Sequence, residues 1–437
     1  MADAVMVGSP IVSGPIRDLD QSLEALFSFA GRRKLGRVSL EVMGRAMALL
    51  GDPHLRLRVV HVAGTSGKTS TCYYLRGLLQ ACGFNTGMTV SPHIAALNER
   101  VQIGAAAMAA PQFCARLDEM LARLAPMRGQ LTYFESVICL ALSSFADQLV
   151  DYAVVEVGVG GGHDATNILS GPDKVAVITA IGLDHTEKLG PTLAAIAAHK
   201  AGIIAPGGVA VVAPQPDEAL AVIEDRASVV GASLVMVEPP LAMDGGSAIT
   251  PFQAQNWAVA QAVVTHLAAR DGFTLPAQGE MDRLATRIAP PGRFEWHHLA
   301  GHRVLLDGAH NPPEMASLVN ALIGLGIGPI PVLATLSSAP IDKVVRTLGA
   351  LQPIASRLIV PEFRLGHADK VKSSLAASQV AAIATEAGIP TDVIPDLDAA
   401  LAALLAQPTP DLLVTGSLYL AGLVRPHLIR LARPAIE

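Results

Sequence analysis

Residues 59 to 70 read Val-Val-His-Val-Ala-Gly-Thr-Ser-Gly-Lys-Thr-Ser, an apolar run of strand length that breaks into a glycine-bounded loop ending in Lys68 and Thr69. A loop of this make-up suits a phosphate anion. Gly64 and Gly67 free the backbone to turn its N–H groups inward, Lys68 supplies a point charge for β- and γ-phosphates, and Thr69 supplies a hydroxyl for magnesium or a phosphate oxygen. An apolar helix expected over Thr71 to Gln80 aims its positive end at the same anion. The longer form of the motif has a glycine five residues before Gly67, where this chain has Val62, so the strand-loop-helix context carries the reading.

Further polar groups sit at the ends of other apolar runs. The strand Tyr152 to Val157 carries Glu156 at its end, followed by Gly158, Gly160, Gly161 and Gly162, then His163, Asp164, Ala165, Thr166 and Asn167. A carboxylate there is costly unless it is paired or bound to a cation, so Glu156 reads either as a structural ion pair or as a ligand of nucleotide-bound magnesium. Asn85 to Val90 runs into Ser91-Pro92-His93, where Ser91 either caps a helix or ligates a metal. Lys174 to Ile181 leads to Asp184, His185 and Thr186, a strand-end position that suits a metal or phosphate role for His185. Lys200 ends a helix that starts near Thr192. It either complements the helix dipole or, among small alanines, lies buried and deprotonated, ready for chemistry.

Strands and helices alternate around these groups. Residues 18 to 50 form two helices separated by the basic patch Arg32, Arg33, Lys34 and Arg37, which is either a solvated face or the border of an acidic substrate's pocket. Helices follow at Pro111 to Leu124, Phe134 to Phe145 and Pro251 to Ala269, with strands at Val209 to Ala213 and Ser233 to Val237. The stiff turn Pro290-Pro291-Gly292-Arg293 marks a boundary, giving a nucleotide-binding domain over 1–290 with a helical N-terminal segment and a smaller α/β domain over 291–437. In the second, Arg303 to Leu306 ends in Asp307-Gly308-Ala309-His310-Asn311-Pro312. Strands at Pro331 to Thr335, Arg357 to Val360 and Leu412 to Val414 complete a parallel, doubly wound pattern.

The 437 residues suggest roughly two to three domains, and 51% apolar content fills their cores. A net charge of -6 without a long basic block argues against nucleic acid or an anionic membrane surface and for small-molecule substrates. Cys72, Cys82, Cys114 and Cys139 form no CxxC pair, so neither zinc nor a disulfide framework is indicated, and a reducing cytoplasm fits. The first residues, Met-Ala-Asp-Ala-Val-Met, have no basic segment of a secretion signal. The uncharged stretch around Met315 to Ile341 is broken by prolines and glycines and reads as helix, turn and buried strand rather than a membrane span.

Taken together, HVAGTSGKTS, SPH, LTYFES, EVGVGG with DATN, IGLDHTEKLG with HKAGI, PGRFE, DGAHNP and TGSLYL resemble the folylpolyglutamate synthase / dihydrofolate synthase branch of the Mur-ligase superfamily from about residue 20 to 430. The resemblance implies an α/β fold with a P-loop-containing parallel-sheet ATPase domain and a smaller Rossmann-like C-terminal domain. It implies an ATP-dependent amide ligase that makes an acyl phosphate and captures it with L-glutamate, the acceptor being dihydropteroate or a reduced folate. By matching motif positions, Gly64, Thr65, Ser66, Gly67, Lys68 and Thr69 would cradle ATP, and Asn256, Arg293, Asp307 and His310 would reach it. Ser91, Glu156 and His185 would hold two magnesium ions. Lys200 would be carbamylated, and Lys68, His185 and Lys200 would serve catalysis. Phe134, His163 and Ala165 would line the acceptor pocket, and the protein would be a cytoplasmic monomer.

Some positions depart from the branch's pattern. Gly162 stands where arginine is common, His163 where an apolar residue is usual, and Thr-Ser-Gly-Lys-Thr is closer to the cell-wall Mur enzymes. Ser337 to Lys343 keeps a remnant of an Asp-Lys-Asp pattern. The alternatives are a Mur-type ligase acting on another carboxylate, disfavoured by only about 58 residues before the loop strand, and a nucleotide-binding scaffold, disfavoured by Lys68, Glu156, His185 and Lys200 together.

Overall fold

In the computed structural model, the apolar runs Val59–Ala63 (β1), Tyr152–Glu156 (β5), Val175–Ile178 (β6) and Val209–Val212 (β7) are strands covered almost entirely on both faces, as a parallel sheet between helices requires. With Thr86–Thr89 (β2), Gln102–Ile103 (β3), Ala106–Ala107 (β4) and Ser233–Met236 (β8) they form an eight-stranded sheet ordered β4-β3-β2-β5-β1-β6-β7-β8. The structure describes residues 15–31, 40–171, 173–239, 249–299, 301–337, 339–367 and 370–432. The basic patch at Arg32, Arg33, Lys34 and Arg37 lies outside the described residues, as does Ser338 in the 337–343 remnant.

The strand order decides where a ligand can sit. The chain goes from β1 to β2 on one side and later to β6, β7 and β8 on the other, with β5 inserted between β2 and β1. The carboxyl ends of β5, β1 and β6 therefore lie side by side at the switch point of an open sheet, where crevices form. Register makes this concrete, pairing Val62 with Glu156 and Ala63 with Ile178. One face of the sheet packs Ala153 and Val155 against Phe113, Leu142 and Phe145, and the other packs Ala176 and Ile178 against Ile196, Ala201 and Ile203.

Helix boundaries follow local chemistry. Thr132 caps the helix Tyr133–Asp147 by accepting from Glu135 N, while Glu135 reaches back to Thr132 N, a reciprocal capping box. Thr192 caps the helix Leu193–Ala201. The helix after the phosphate loop spans Lys68–Ala81, three residues longer at its start than sequence suggests, because Gly67 at φ 86 supplies a left-handed cap that a side chain would resist.

The second sheet contains Glu295–Leu299 (β9), His302–Leu306 (β10), Ile330–Ala334 (β11), Ala355–Val360 (β12), Thr391–Val393 (β15) and Asp411–Thr415 (β16), in the order β15-β12-β11-β16-β10-β9. Arg364–His367 (β13) and Lys370–Ser373 (β14) form a separate hairpin. Alternation along the strands divides its core. Leu305, Val332, Leu358 and Leu413 face one cluster, and Val304, Leu333, Ile359 and Leu412 face the other.

Three features differ from the purely parallel expectation. β9 is antiparallel to β10, β3 and β4 extend the first sheet antiparallel, and the β13–β14 hairpin stands apart. β3 and β4 have two residues each, too few to show a period, and β9 carries His297 and His298 where an apolar strand signal would be sought. The stretch around 315–341 contains the helix Pro312–Gly324 and β11, and among the described residues no helix is long and apolar enough to cross a membrane.

The chain divides into two compact units, residues 1–238 with 258–277 and residues 239–257 with 278–437, rather than at a single cut near 290. The helix Pro251–Asp271 starts in the second unit and finishes in the first.

Close packing makes the β2 glycine testable. A Cβ on Gly87 would lie 2.6 Å from the Phe145 ring, so Gly87→Ala should cost about 1–3 kcal/mol by overpacking. Urea unfolding should show the loss and its partial recovery in a Gly87→Ala, Phe145→Leu double variant; equal midpoints for all three proteins would contradict this packing.

Candidate active site

The loop after β1 is stitched to the end of β6. Thr65 N donates to Ala180 O at 2.9 Å, the Thr65 hydroxyl donates to Gly182 O at 3.0 Å, and the Thr179 hydroxyl reaches Ser66 O at 2.7 Å. A Cβ on Gly64 would overlap Thr179 Oγ1, so this approach requires glycine. The first N–H groups of the helix Lys68–Ala81 have no intrahelical acceptor and open at this loop, an arrangement that suits an anion.

Two lysines meet at one carbonyl. Lys68 Nζ donates to Gly64 O and Thr65 O, each at 3.1 Å, and Lys200 Nζ donates to the same Gly64 O at 2.6 Å. Lys200 is 4% exposed. Burial first, and the Lys68 charge second, push its pKa down to about 7, against a weaker opposing pull from Asp184.

Glu156 is held from two sides. The Thr69 hydroxyl donates to its carboxylate oxygens at 2.9 and 3.0 Å, and Ser91 N donates to Oε2 at 3.1 Å. One carboxylate thus ties together the helix start, the end of β5 and the turn after β2. Glu156 with the hydroxyls of Ser91 and Thr69 is a hard oxygen set suited to magnesium, which keeps several waters and needs few protein ligands. His185 adopts a left-handed backbone at φ 50 and is exposed, with Asp184 and Glu187 carboxylates each 3.8 Å away. Its pKa is lowered, first by desolvation, with the neighbouring acids opposing. Among the described residues no three His, Cys, Asp or Glu side chains converge on one metal position, so a metal here would draw on hydroxyl and ligand oxygens as well.

The remaining expected residues divide by location. A Cβ on Gly158 would touch the Phe134 ring at 2.6 Å, so Phe134 lies against the glycine run. Ala165 is buried in the core, whereas His163 is exposed with its ring 6.0 Å from that of His199. Asn256, Arg293, Asp307 and His310 belong to the second unit. Asn256 is buried, and its Nδ2 has no hydrogen-bond partner among the described residues. Asp307 accepts Phe294 N and Ala309 N, both at 2.8 Å, and desolvation raises its pKa against the pull of Arg293. Burial alone would depress His310, but Glu314, 3.1 Å from Nδ1, holds its pKa above the ordinary value.

Sequence reasoning missed Thr179, Asn167, Lys174, Glu295 and Arg425. Thr179 follows directly on an apolar strand, a signal that could have found it. Arg425 Nε donates to both oxygens of Glu295 at 3.0 Å, and Glu295 accepts Gly292 N at 2.8 Å, a link across 130 residues with no local signature.

Comparison with known proteins finds relatives and solved structures of the same fold. The Mur ligase middle domain family matches residues 62–236. The chain is 32% identical over 368 residues to the dihydrofolate synthase/folylpolyglutamate synthase of Mycobacterium tuberculosis, covering 74% of each chain. It is 34% identical over 294 residues to a folylpolyglutamate synthase of Arabidopsis thaliana, 61% of this chain and 51% of the relative, so the match spans about half the length of that plant protein. Among solved structures, Escherichia coli FolC in complex with DHPP and ADP superposes with a TM-score of 0.76 at 25% identity, covering 97% of this chain and 99% of that one. A bifunctional folylpolyglutamate synthase/dihydrofolate synthase with Mn, AMPPNP and L-glutamate bound gives 0.74 at 28% identity, covering 93% and 96%.

The buried lysines set a pH-dependent expectation. A lysine near 7 in the folded chain and about 10.4 when unfolded leaves the unfolded state holding the extra proton between those values, so stability should rise with pH across that window. Lysine 13Cε resonances should include two with midpoints near 7, one absent in Lys200→Met and the other in Lys174→Met. Lysine signals that all remain charged to pH 9.5 would contradict the burial argument.

Proposed function

The chain belongs to the folylpolyglutamate synthase / dihydrofolate synthase family of Mur-type, ATP-dependent amide ligases, and on that premise we propose that it joins L-glutamate to dihydropteroate, to folates already carrying glutamate, or to both. The observation that carries this reading is the convergence of Lys68 and Lys200 on Gly64 O, beside a carboxylate tied to Thr69. Joining an anionic carboxylate to an anionic triphosphate needs cations and N–H donors fixed where charge develops, and this end of the sheet has both.

The reaction divides into two displacements. An acceptor carboxylate oxygen bonds to the γ-phosphorus as the bond to the β-bridging oxygen breaks, giving ADP and an acyl phosphate. The glutamate amine then bonds to the acyl carbon, the carbon–oxygen bond to phosphate breaks, and the amine loses a proton. In this reading Gly64 through Thr69 hold the phosphates, with Lys68 neutralising charge on the group in transfer. Divalent magnesium, when bound, screens the phosphate oxygens. Glu156, Ser91 and Thr69 would hold one ion, and His185 with a carbamylated Lys200 a second. Support for carbamylation is the lowered pKa of Lys200, which leaves a substantial neutral amine near pH 7 to bond to the carbon of CO2. Phe134, His163 and Ala165 are assigned to the acceptor, Phe134 being the one that lies against the glycine run.

Asn256, Arg293, Asp307 and His310 are assigned to the nucleotide. Their chemistry supports it, with a guanidinium for phosphate, an amide lacking a partner for a base edge, and an imidazole whose proton affinity is raised by Glu314. A reducing cytoplasm completes the reading, supported by four free cysteines, and the monomer is taken from the family resemblance alone.

Phosphate release from ATP with L-glutamate and magnesium tests the proposal, comparing dihydropteroate, a reduced folate monoglutamate and no acceptor. Release that depends on either acceptor is expected; silence with both, from protein that binds ATP, would overturn the folate assignment. Lys200→Ala should lower kcat at least about 100-fold while ATP affinity stays within a few-fold, an effect in the range that electrostatic groups supply. Turnover equal to the parent would remove Lys200 from the mechanism.

A further inference from the structure

Between Glu156 and Lys200 lies a contact made almost wholly of backbone. Gly162 N donates to His199 O at 2.7 Å, and a Cβ on Gly202 would sit 2.6 Å from Gly162 Cα. Gly202 is the cap of the helix Leu193–Ala201, two residues past Lys200. The loop that leaves Glu156 therefore rests directly on the end of the helix that presents the buried lysine.

One side chain ties the two together. Asn167 Nδ2 donates to Gly162 O at 3.1 Å and to Gly202 O at 3.3 Å, so a single amide group holds a carbonyl from each side of the contact. An asparagine amide can present either end, and here the two carbonyls on one side and a lysine on the other favour the same choice. Lys174 Nζ carries at least two N–H donors in either protonation state and gives them to Asn167 Oδ1 at 3.1 Å and Leu169 O at 2.8 Å, which leaves the NH2 group for the two glycine carbonyls. Lys174 is 4% exposed, and both of these acceptors are neutral oxygens.

The other flank of the glycine run is held separately. Asp164 accepts Val159 N and Thr166 N at 3.0 Å each, and the Thr166 hydroxyl donates its one proton to Asp164 Oδ1 at 2.6 Å. Thr166 Oγ1 must then accept from His61, 2.8 Å away, so that ring carries its proton on Nε2. Burial, with Lys174 adding to it, keeps the His61 ring neutral. This second chain would keep the loop folded when the Asn167 link is lost.

We propose that Lys174 and Asn167 are positioning residues for ligation, Lys174 orienting the Asn167 amide so that its NH2 group fixes the loop after Glu156 against the helix that carries Lys200. The inference rests on the proposed role of Lys200 and adds two residues that neither touch ATP in that reading nor belong to the phosphate loop. Its physical basis is the steep dependence of catalysis on sub-ångström placement. Asn167→Asp keeps size and the pairing with Lys174 but turns both carbonyl contacts repulsive. Lys174→Met keeps the stem and removes the donor that anchors the amide oxygen.

The test compares Asn167→Asp, Lys174→Met and Lys200→Ala with the parent, in phosphate release per folded molecule at a temperature well below each melting midpoint. For the first two, kcat should fall about 10- to 100-fold while KM for ATP stays within about threefold. A purely structural role would lower the melting midpoint and leave kcat per folded molecule unchanged, which would overturn the proposal. Should either variant fail to fold, Asn167→Ser, which keeps one donor, carries the same comparison. If Lys200→Ala is inactive while both positioning variants match the parent, the positioning proposal alone falls. If Lys200→Ala turns over normally, the reading beneath it falls as well.

Discussion

A carboxylate buried at the end of an apolar strand has to be satisfied, and the way Glu156 is satisfied organises the first unit. Its acceptor oxygens take a hydroxyl from the first turn of the helix Lys68–Ala81 and a backbone N–H from the turn after β2. An unpaired carboxylate in this position would cost several kcal/mol, so three pieces of chain are drawn to one point by a single desolvated charge. The same point is where the first N–H groups of the helix Lys68–Ala81 and hydroxyl oxygens meet.

The balancing feature is an excess of positive charge a few residues away. Lys68 and Lys200 share Gly64 O, and like charges brought together in a dry site disfavour ionisation of the more buried one. The second unit uses its acids differently. Asp307 and Glu295 spend their oxygens on the backbone of the turn 292–294 and its neighbours, with Arg425 anchoring Glu295 from the last helix. These carboxylates fix the path of the chain around Arg293.

Legibility in the sequence followed the range of the interaction. The phosphate loop, the strand ending in Glu156, the loop around His185 and the helix ending in Lys200 all show as polar residues at the ends of apolar runs, because parallel strands buried on both faces exclude polar groups elsewhere. Asn167 showed only as the last of the polar run after Glu156 and Lys174 only as the first residue of a strand, and neither carried a role until folding brought Gly162 and Gly202 together at Asn167. The edge strands escaped for a different reason, since two residues carry no period and β9 is rich in histidine.

By itself the sequence determined the α/β class, the principal buried strands and the helices between them, and the glycine-bounded loop at residues 64–69 with most of the polar residues around it, because these depend on contacts within a few residues. Only the tertiary structure decided which strand ends are neighbours, that Thr69 and Ser91 share Glu156, that two lysines meet at Gly64, and that the helix Pro251–Asp271 divides its residues between the two units. The physical reason is that sheet order and register fix these distances. They are set by packing between segments tens to over a hundred residues apart, which leave no mark on local periodicity.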